Sequence, residues 1–116
     1  MSEILGIEEV EASQGAVVLR IQGKLDANNT PAFLQHCRAV KDRKTDLVLN
    51  LSGVTFIASS GVGGLLVVTD EFAQAGLQIR FAALSSTVDS VIRLLNLGSF
   101  LDIHATEGEA LTSLAA

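Results

Sequence analysis

The chain has 116 residues and a net charge of −5, a size that suits one domain with its own core and needs no disulfide or metal to hold it. Hydrophobic residues make up 48% and charged residues 18%, the balance of a globular chain rather than a disordered one. The acidic balance repels phosphate backbones, and the absence of Trp and Tyr leaves no platform for stacked bases, which argues against nucleic acid as a partner.

Cys37 is the only cysteine, so an internal disulfide and a cysteine-rich metal site are both excluded. No segment has the charged-then-apolar pattern of a signal peptide. No apolar run is long enough to cross a membrane. The expectation is a cytoplasmic protein, residues 1–116 forming a single domain, with no direct membrane insertion.

In chain order, residues 3–12 predict a strand of mixed polarity, and Ser13-Gln14-Gly15 a turn. AVVLRIQG, residues 16–23, predicts a second strand, antiparallel to the first across so short a connection. Thr30 followed by Pro31 marks a helix start. Phe33, Leu34, Cys37 and Val40 then recur at helical spacing, which places Cys37 in the core. Arg38, Lys41, Arg43 and Lys44 close this helix as its solvated, cationic end. DLVLNLS, residues 46–52, predicts a central strand covered on both faces.

After Ser52-Gly53 the run VTFIA leads into a second helix, with Ser59 or Ser60 as its cap and Gly76 as its stop. LQIRFAAL, residues 77–84, predicts a fourth strand. Ser86 and Asp89 have the spacing of a capping box for a third helix carrying Val88, Val91, Ile92 and Leu95, which Gly98 ends. FLDIHA predicts a short last strand. Thr106 and Glu109 form a second capping box for a terminal helix. The order ββαβαβαβα implies a mixed, mostly parallel sheet with an N-terminal hairpin and about four helices.

In such a sheet the loops leaving the carboxyl ends of the strands share one edge, where ligand sites gather. Asp26, Asn28 and Asn29 follow the second strand, FIASSGVGG (56–64) the third, and Ser85 and Ser86 the fourth, so all three are expected at one rim. The amino end of a helix bears unpaired N–H groups and partial positive charge, and tolerates a phosphate. Gly61, Gly63 and Gly64 each lower helix propensity by about 1 kcal/mol relative to alanine. Close approach by another protein's backbone would account for them. A purely structural account is equally open here, since serines cap helices and small residues let a helix pack tightly on a sheet.

GKLDANNTPAF, DLVLNLSGVTFIASSGVGGLL and SSTVDSVIRLLNLGSF together resemble the STAS domain family, and within it the bacterial anti-sigma factor antagonists, over nearly the whole chain. The resemblance implies a STAS-type α/β fold and a function. Such antagonists bind an anti-sigma factor that is also a serine kinase, and so free a sigma factor for transcription. The kinase phosphorylates a serine of the S-S-G motif and the antagonist lets go; a PP2C-type phosphatase restores it. By motif position the acceptor is Ser59, with Ser60 second to it. The implied partner-binding residues are Asp26, Asn28, Ser59, Ser60, Gly61, Val62 and Gly63, with Asp26 matching the acidic residue of a G-x-L-D turn. The residue before the first serine is usually aspartate in these antagonists, and here it is Ala58.

An enzyme reading is weak. The nucleophile elbow is G-x-S-x-G, and Ile57 and Ala58 occupy the positions two before Ser59 and Ser60. His36 and His104, the only histidines, are not placed by sequence to serve as base. GVGG lacks the lysine of a phosphate-binding loop, so no cofactor or catalytic residue is expected. The alternative within binding modules is an unphosphorylated STAS subunit of a lipid-transport ATP-binding-cassette complex, or a signalling scaffold.

Overall fold

The computed structural model describes residues 5–12 and 15–115, the side chain of Ala115 excepted. Five strands form one sheet in the order β1-β2-β3-β4-β5. They are β1 (Gly6–Glu11), β2 (Val17–Leu25), β3 (Leu47–Ile57), β4 (Ile79–Ala82) and β5 (Ile103–His104). β1 pairs antiparallel with β2, and every later pair is parallel, as the alternation of strands and helices predicts. The helices are α1 (Thr30–Asp42), α2 (Ser59–Gln74), α3 (Ser86–Leu94) and α4 (Glu107–Ala115).

Period-two alternation divides the sheet into two faces. Val17, Leu19, Ile21, Leu47, Leu49, Leu51 and Phe81 join Phe33, Val40, Leu65, Phe72, Val88 and Ile92 in the main core, so α1, α2 and α3 cover one face. Cys37 lies in that core, and burial pushes its thiol up to about 12. The other face is covered by α4 through a smaller cluster of Val18, Val48, Ala82 and Ala110. A polar tie supports it. Arg20 donates to both carboxylate oxygens of Glu107, at 2.8 and 3.0 Å, and the Asn50 amide donates to the same carboxylate. The hydrogen bond from Arg20 is the main cause of a Glu107 pKa below the usual carboxylate range.

β3 runs well past the predicted residue 52. Its pairing with β2 slips twice, between Arg20 and Gln22 and between Gly23 and Lys24. Ser52-Gly53 is therefore a bulge rather than a turn. The Asn50 carboxamide oxygen accepts the Ser52 N–H at 2.9 Å there. A Cβ on Gly53 would come within 2.9 Å of the Ile21 carbonyl oxygen. β2 likewise continues to Leu25, beside Ile57, so β2 and β3 project together beyond the short β4.

Helix ends differ from the sequence expectation in three places. Ser85, not Ser86, caps α3, its hydroxyl accepting the Val88 N–H at 3.2 Å; Asp89 instead pairs with Arg93 at 2.8 Å. α3 ends at Leu94, with the left-handed residue supplied by Asn96 (φ 57°) and not by Gly98. The cap of α2 is Ala58. Gly76, with φ 73°, does end α2 as expected, and the Thr106 hydroxyl accepts the Glu109 N–H at 3.1 Å. The basic residues closing α1 are less solvated than expected. Arg38 and Lys41 pair with Glu71 of α2, and Arg43 with Glu9 of β1. The predicted turn residues Ser13 and Gln14 lie outside the described residues.

Candidate functional site

Two turns are fixed side by side where β2 and β3 end. Leu25 and Ile57 are partners in the ladder, and the Ala58 N–H donates to the Leu25 carbonyl at 2.9 Å. The turn before α1 and the turn before α2 therefore share one backbone link.

Asp26 organises the first turn. Its Oδ1 accepts the N–H groups of Asn28 and Asn29, each at 3.0 Å. Its carbonyl accepts the Thr30 N–H at 2.9 Å and the Thr30 hydroxyl at 2.7 Å. Asn29 precedes α1 without a capping side-chain bond, and Asp26 instead holds the turn that leads into the helix. The Asn29 amide in turn donates to the Lys24 carbonyl at 3.0 Å. Asp26 is half-buried, and Asn28 is exposed next to it.

In the second turn Ala58 holds the extended cap conformation (φ −94°, ψ 173°) and makes no side-chain cap bond. The bond from its N–H to Leu25 selects it for that position. Ser59 and Ser60 are thus the first two helical residues rather than caps, and both are exposed. The first turn of α2 contains no acidic residue. Its positive end meets solvent through a methyl group and two hydroxyls.

The three glycines of this stretch have different reasons. A Cβ on Gly61 would run into the Leu25 carbonyl oxygen and lie 2.9 Å from Ile57 Cγ1 and Leu25 Cβ. One on Gly64 would lie 2.9 Å from the methyl group of buried Thr30. Both positions serve close packing, the structural account left open above. A Cβ on Gly63 would meet nothing within 4 Å. The propensity cost of about 1 kcal/mol at Gly63 is not offset by any contact of that kind.

Of the predicted partner-binding residues, Asn28, Ser59 and Ser60 are exposed, and Asp26 and Gly63 are half-buried. Gly61 and Val62 are buried and form the floor of the surface. Ser85 and Ser86 do not join this rim. The Ser85 N–H donates to the Leu51 carbonyl, and β3 continues past Leu51 to Ile57, two bulges included, about 13 Å further along the strand. β4 is too short to bring its loop level with the others.

His104 sits in β5, two strands away from β3 in the sheet order, with Nε2 2.7 Å from Asp102. His36 is exposed on α1. Among the described residues no cluster of His, Cys, Asp and Glu is arranged to hold a metal ion, and no helix is long and apolar enough to cross a membrane. Sequence reasoning missed Lys24 and Phe56, exposed near the tip of the β2–β3 pair. In the apolar run VTFIA, Val54 and Ile57 are buried while Phe56 is exposed. Only the bulge decides which side chain turns outward.

A crystal structure of an anti-sigma factor antagonist from Mycobacterium paratuberculosis superposes with a TM-score of 0.88 at 23% identity, covering 100% of both chains. The Bacillus cell fate determinant SpoIIAA in its phosphorylated form matches with a TM-score of 0.70 at 23% identity, over 93% of this chain and 98% of that one. Murine Slc26a9, an anion transporter in its inward-facing state, matches at 0.71 and 18% identity, over 87% of this chain but 18% of the transporter. At such identities the likeness is one of fold. The family model for the STAS domain matches residues 9–110, and the chain belongs to the STAS domain family.

Proposed function

We propose that this protein is an anti-sigma factor antagonist, a cytoplasmic binding module that docks an anti-sigma factor with serine-kinase activity and is released when Ser59 is phosphorylated. The observation that carries this reading is the exposed Ser59 hydroxyl at the first turn of α2, beside a glycine, Gly63, that the packing does not require. A fold neighbour is known in a phosphorylated form. The reading assigns binding, not catalysis, to the chain. Cys37 is buried in the core with its thiol pushed up to about 12, and His104 lies two strands away from β3.

Phosphorylation adds about −1.5 to −2 charges at pH 7. At Ser59 the dianion meets the positive end of α2, where Ala58 leaves the N–H groups without a competing side-chain acceptor. The domain keeps its fold. A partner packed against the hydroxyl must instead desolvate the phosphate, at a cost of several kcal/mol, and about 1.4 kcal/mol already shifts an equilibrium tenfold. A PP2C-type phosphatase would reset the switch, and transcription would respond through the freed sigma factor.

The test is incubation with candidate anti-sigma factor kinases and ATP, followed by mass spectrometry. Phosphate on Ser59, tight binding by Ser59→Ala and poor binding by Ser59→Asp are expected. Equal partner affinity of the two variants would defeat the switch. Stable co-purification with an ATP-binding-cassette subunit, with no phosphate on either serine, would point instead to a transport complex.

A further inference from the structure

The same edge carries an aromatic ring and a cation that the fold leaves outside. Lys24 and Phe56 are ladder partners in β2 and β3, between Gly23↔Val54 and Leu25↔Ile57. Leu25 and Ile57 belong to the main core, so alternation sends Lys24 and Phe56 to the opposite face. On that face α4 covers only the cluster around Val18, Val48 and Ala82. Phe56 is 46% exposed, roughly 100 Å² of aromatic surface for a side chain of its size. Six of the eight Lys and Arg residues are held in ion pairs, namely Arg20, Arg38, Lys41, Arg43, Arg80 and Arg93. Lys24 is not. On a chain of net charge −5, an uncommitted cation beside an exposed ring near a proposed docking site has a simple use in recognition.

We infer that Phe56 and Lys24 are an anchor for the partner, which wraps over the edge of the sheet and presents an apolar pocket for the ring bordered by a carboxylate for the ammonium group. This rests on the function proposed above. The occupant follows from continuity. Phe56 stands two residues before Ala58 and Lys24 two before Asp26, so a partner covering Ser59 and the Asp26 turn reaches both. The ring supplies affinity, and the cation supplies orientation and salt dependence. Neither side chain contributes to the core, so their removal leaves the domain folded.

Affinities of the wild type, Phe56→Ala, Lys24→Glu, Ser59→Ala and Ser59→Asp are measured against a panel of purified anti-sigma factor kinases, with melting temperatures as a check on folding. Phe56→Ala and Lys24→Glu are each expected to weaken binding at least about tenfold, with Lys24→Glu also flattening the salt dependence. A smaller effect in either, with Ser59→Asp still releasing the partner, overturns the anchor and leaves the proposed function standing. Equal affinity of the two Ser59 variants, or no binder in the panel, overturns the proposed function and the anchor with it. Self-association of the wild type that Phe56→Ala abolishes assigns this face to a second copy and overturns the anchor alone.

Discussion

Gly61 and Gly63 stand two residues apart in one helix, and alanine is expected to act on them with opposite sign. At Gly63 the new methyl group meets nothing within 4 Å, so only helix propensity and unfolded-state entropy change. Both favour alanine, by about 0.5–1 kcal/mol together. For a domain of this size that raises the melting temperature by roughly 2–4 °C. At Gly61 the methyl group collides with the Leu25 carbonyl oxygen, which already accepts the Ala58 N–H at 2.9 Å. Overpacking costs about 1–3 kcal/mol, and disturbing that hydrogen bond adds about 1 kcal/mol. Gly61→Ala should therefore lose about 2–4 kcal/mol, a fall of roughly 8–16 °C. Thermal unfolding followed by circular dichroism, with urea titration for the free energies, measures both. Two shifts of the same sign would refute the division between a packing glycine and an open one. On the proposed function Gly63→Ala also carries a penalty, because the more stable protein should bind its partner less well.

Three further outcomes follow from the hydrogen bonds and the core. Glu107 has its pKa depressed by Arg20, so its stabilising contribution is full above the unfolded carboxylate value of about 4.3 and is lost as pH falls through the lower folded value. Glu107→Gln should accordingly lower the melting temperature at pH 7, with the gap to wild type closing below about pH 4. Asp26→Ala removes the acceptor of two backbone N–H groups and should cost about 1–2 kcal/mol, whereas Asp26→Asn keeps an acceptor oxygen and should cost much less; urea unfolding distinguishes them. Cys37, buried with its thiol pushed up to about 12, should resist alkylation at pH 7.5 until the protein is unfolded, as mass spectrometry after iodoacetamide treatment would show.

Element order was legible because period-two and helical apolar patterns alternate along the whole chain, and they place Phe33, Cys37 and Val40 correctly inside. Boundaries were less legible where one residue type serves two purposes. Ser52-Gly53 reads as a turn, yet Gly53 lies in β3 against Gln22 and the Ile21 carbonyl, and the strand runs on to Ile57. Adjacent serines offer two caps each, and in one case the choice falls on neither. Leu25 draws in the Ala58 N–H, so Ala58 caps α2 without a side chain, while the Ser85 N–H is held by Leu51 and Ser85 caps α3. Both choices depend on a neighbouring strand, which no local spacing encodes.

The same long-range pairing shapes the candidate site. Parallel order alone would bring three loops to one edge, and strand length decides which arrive. β3 outruns β4 and leaves Ser85 and Ser86 behind, while β2 keeps pace and delivers Asp26 beside Ala58. The two bulges in β3 take up its two extra residues, so that its eleven residues end level with the nine of β2. The slip between Gly23 and Lys24 also puts Phe56 opposite Lys24, on the face away from the main core. With a regular register in place of that bulge, Thr55 would pair with Lys24, and Phe56 and Ile57 would each move one position along β2. That shift would exchange a buried aliphatic for an exposed ring, so the bulge, and not the S-S-G motif alone, determines what a visitor to this edge would meet.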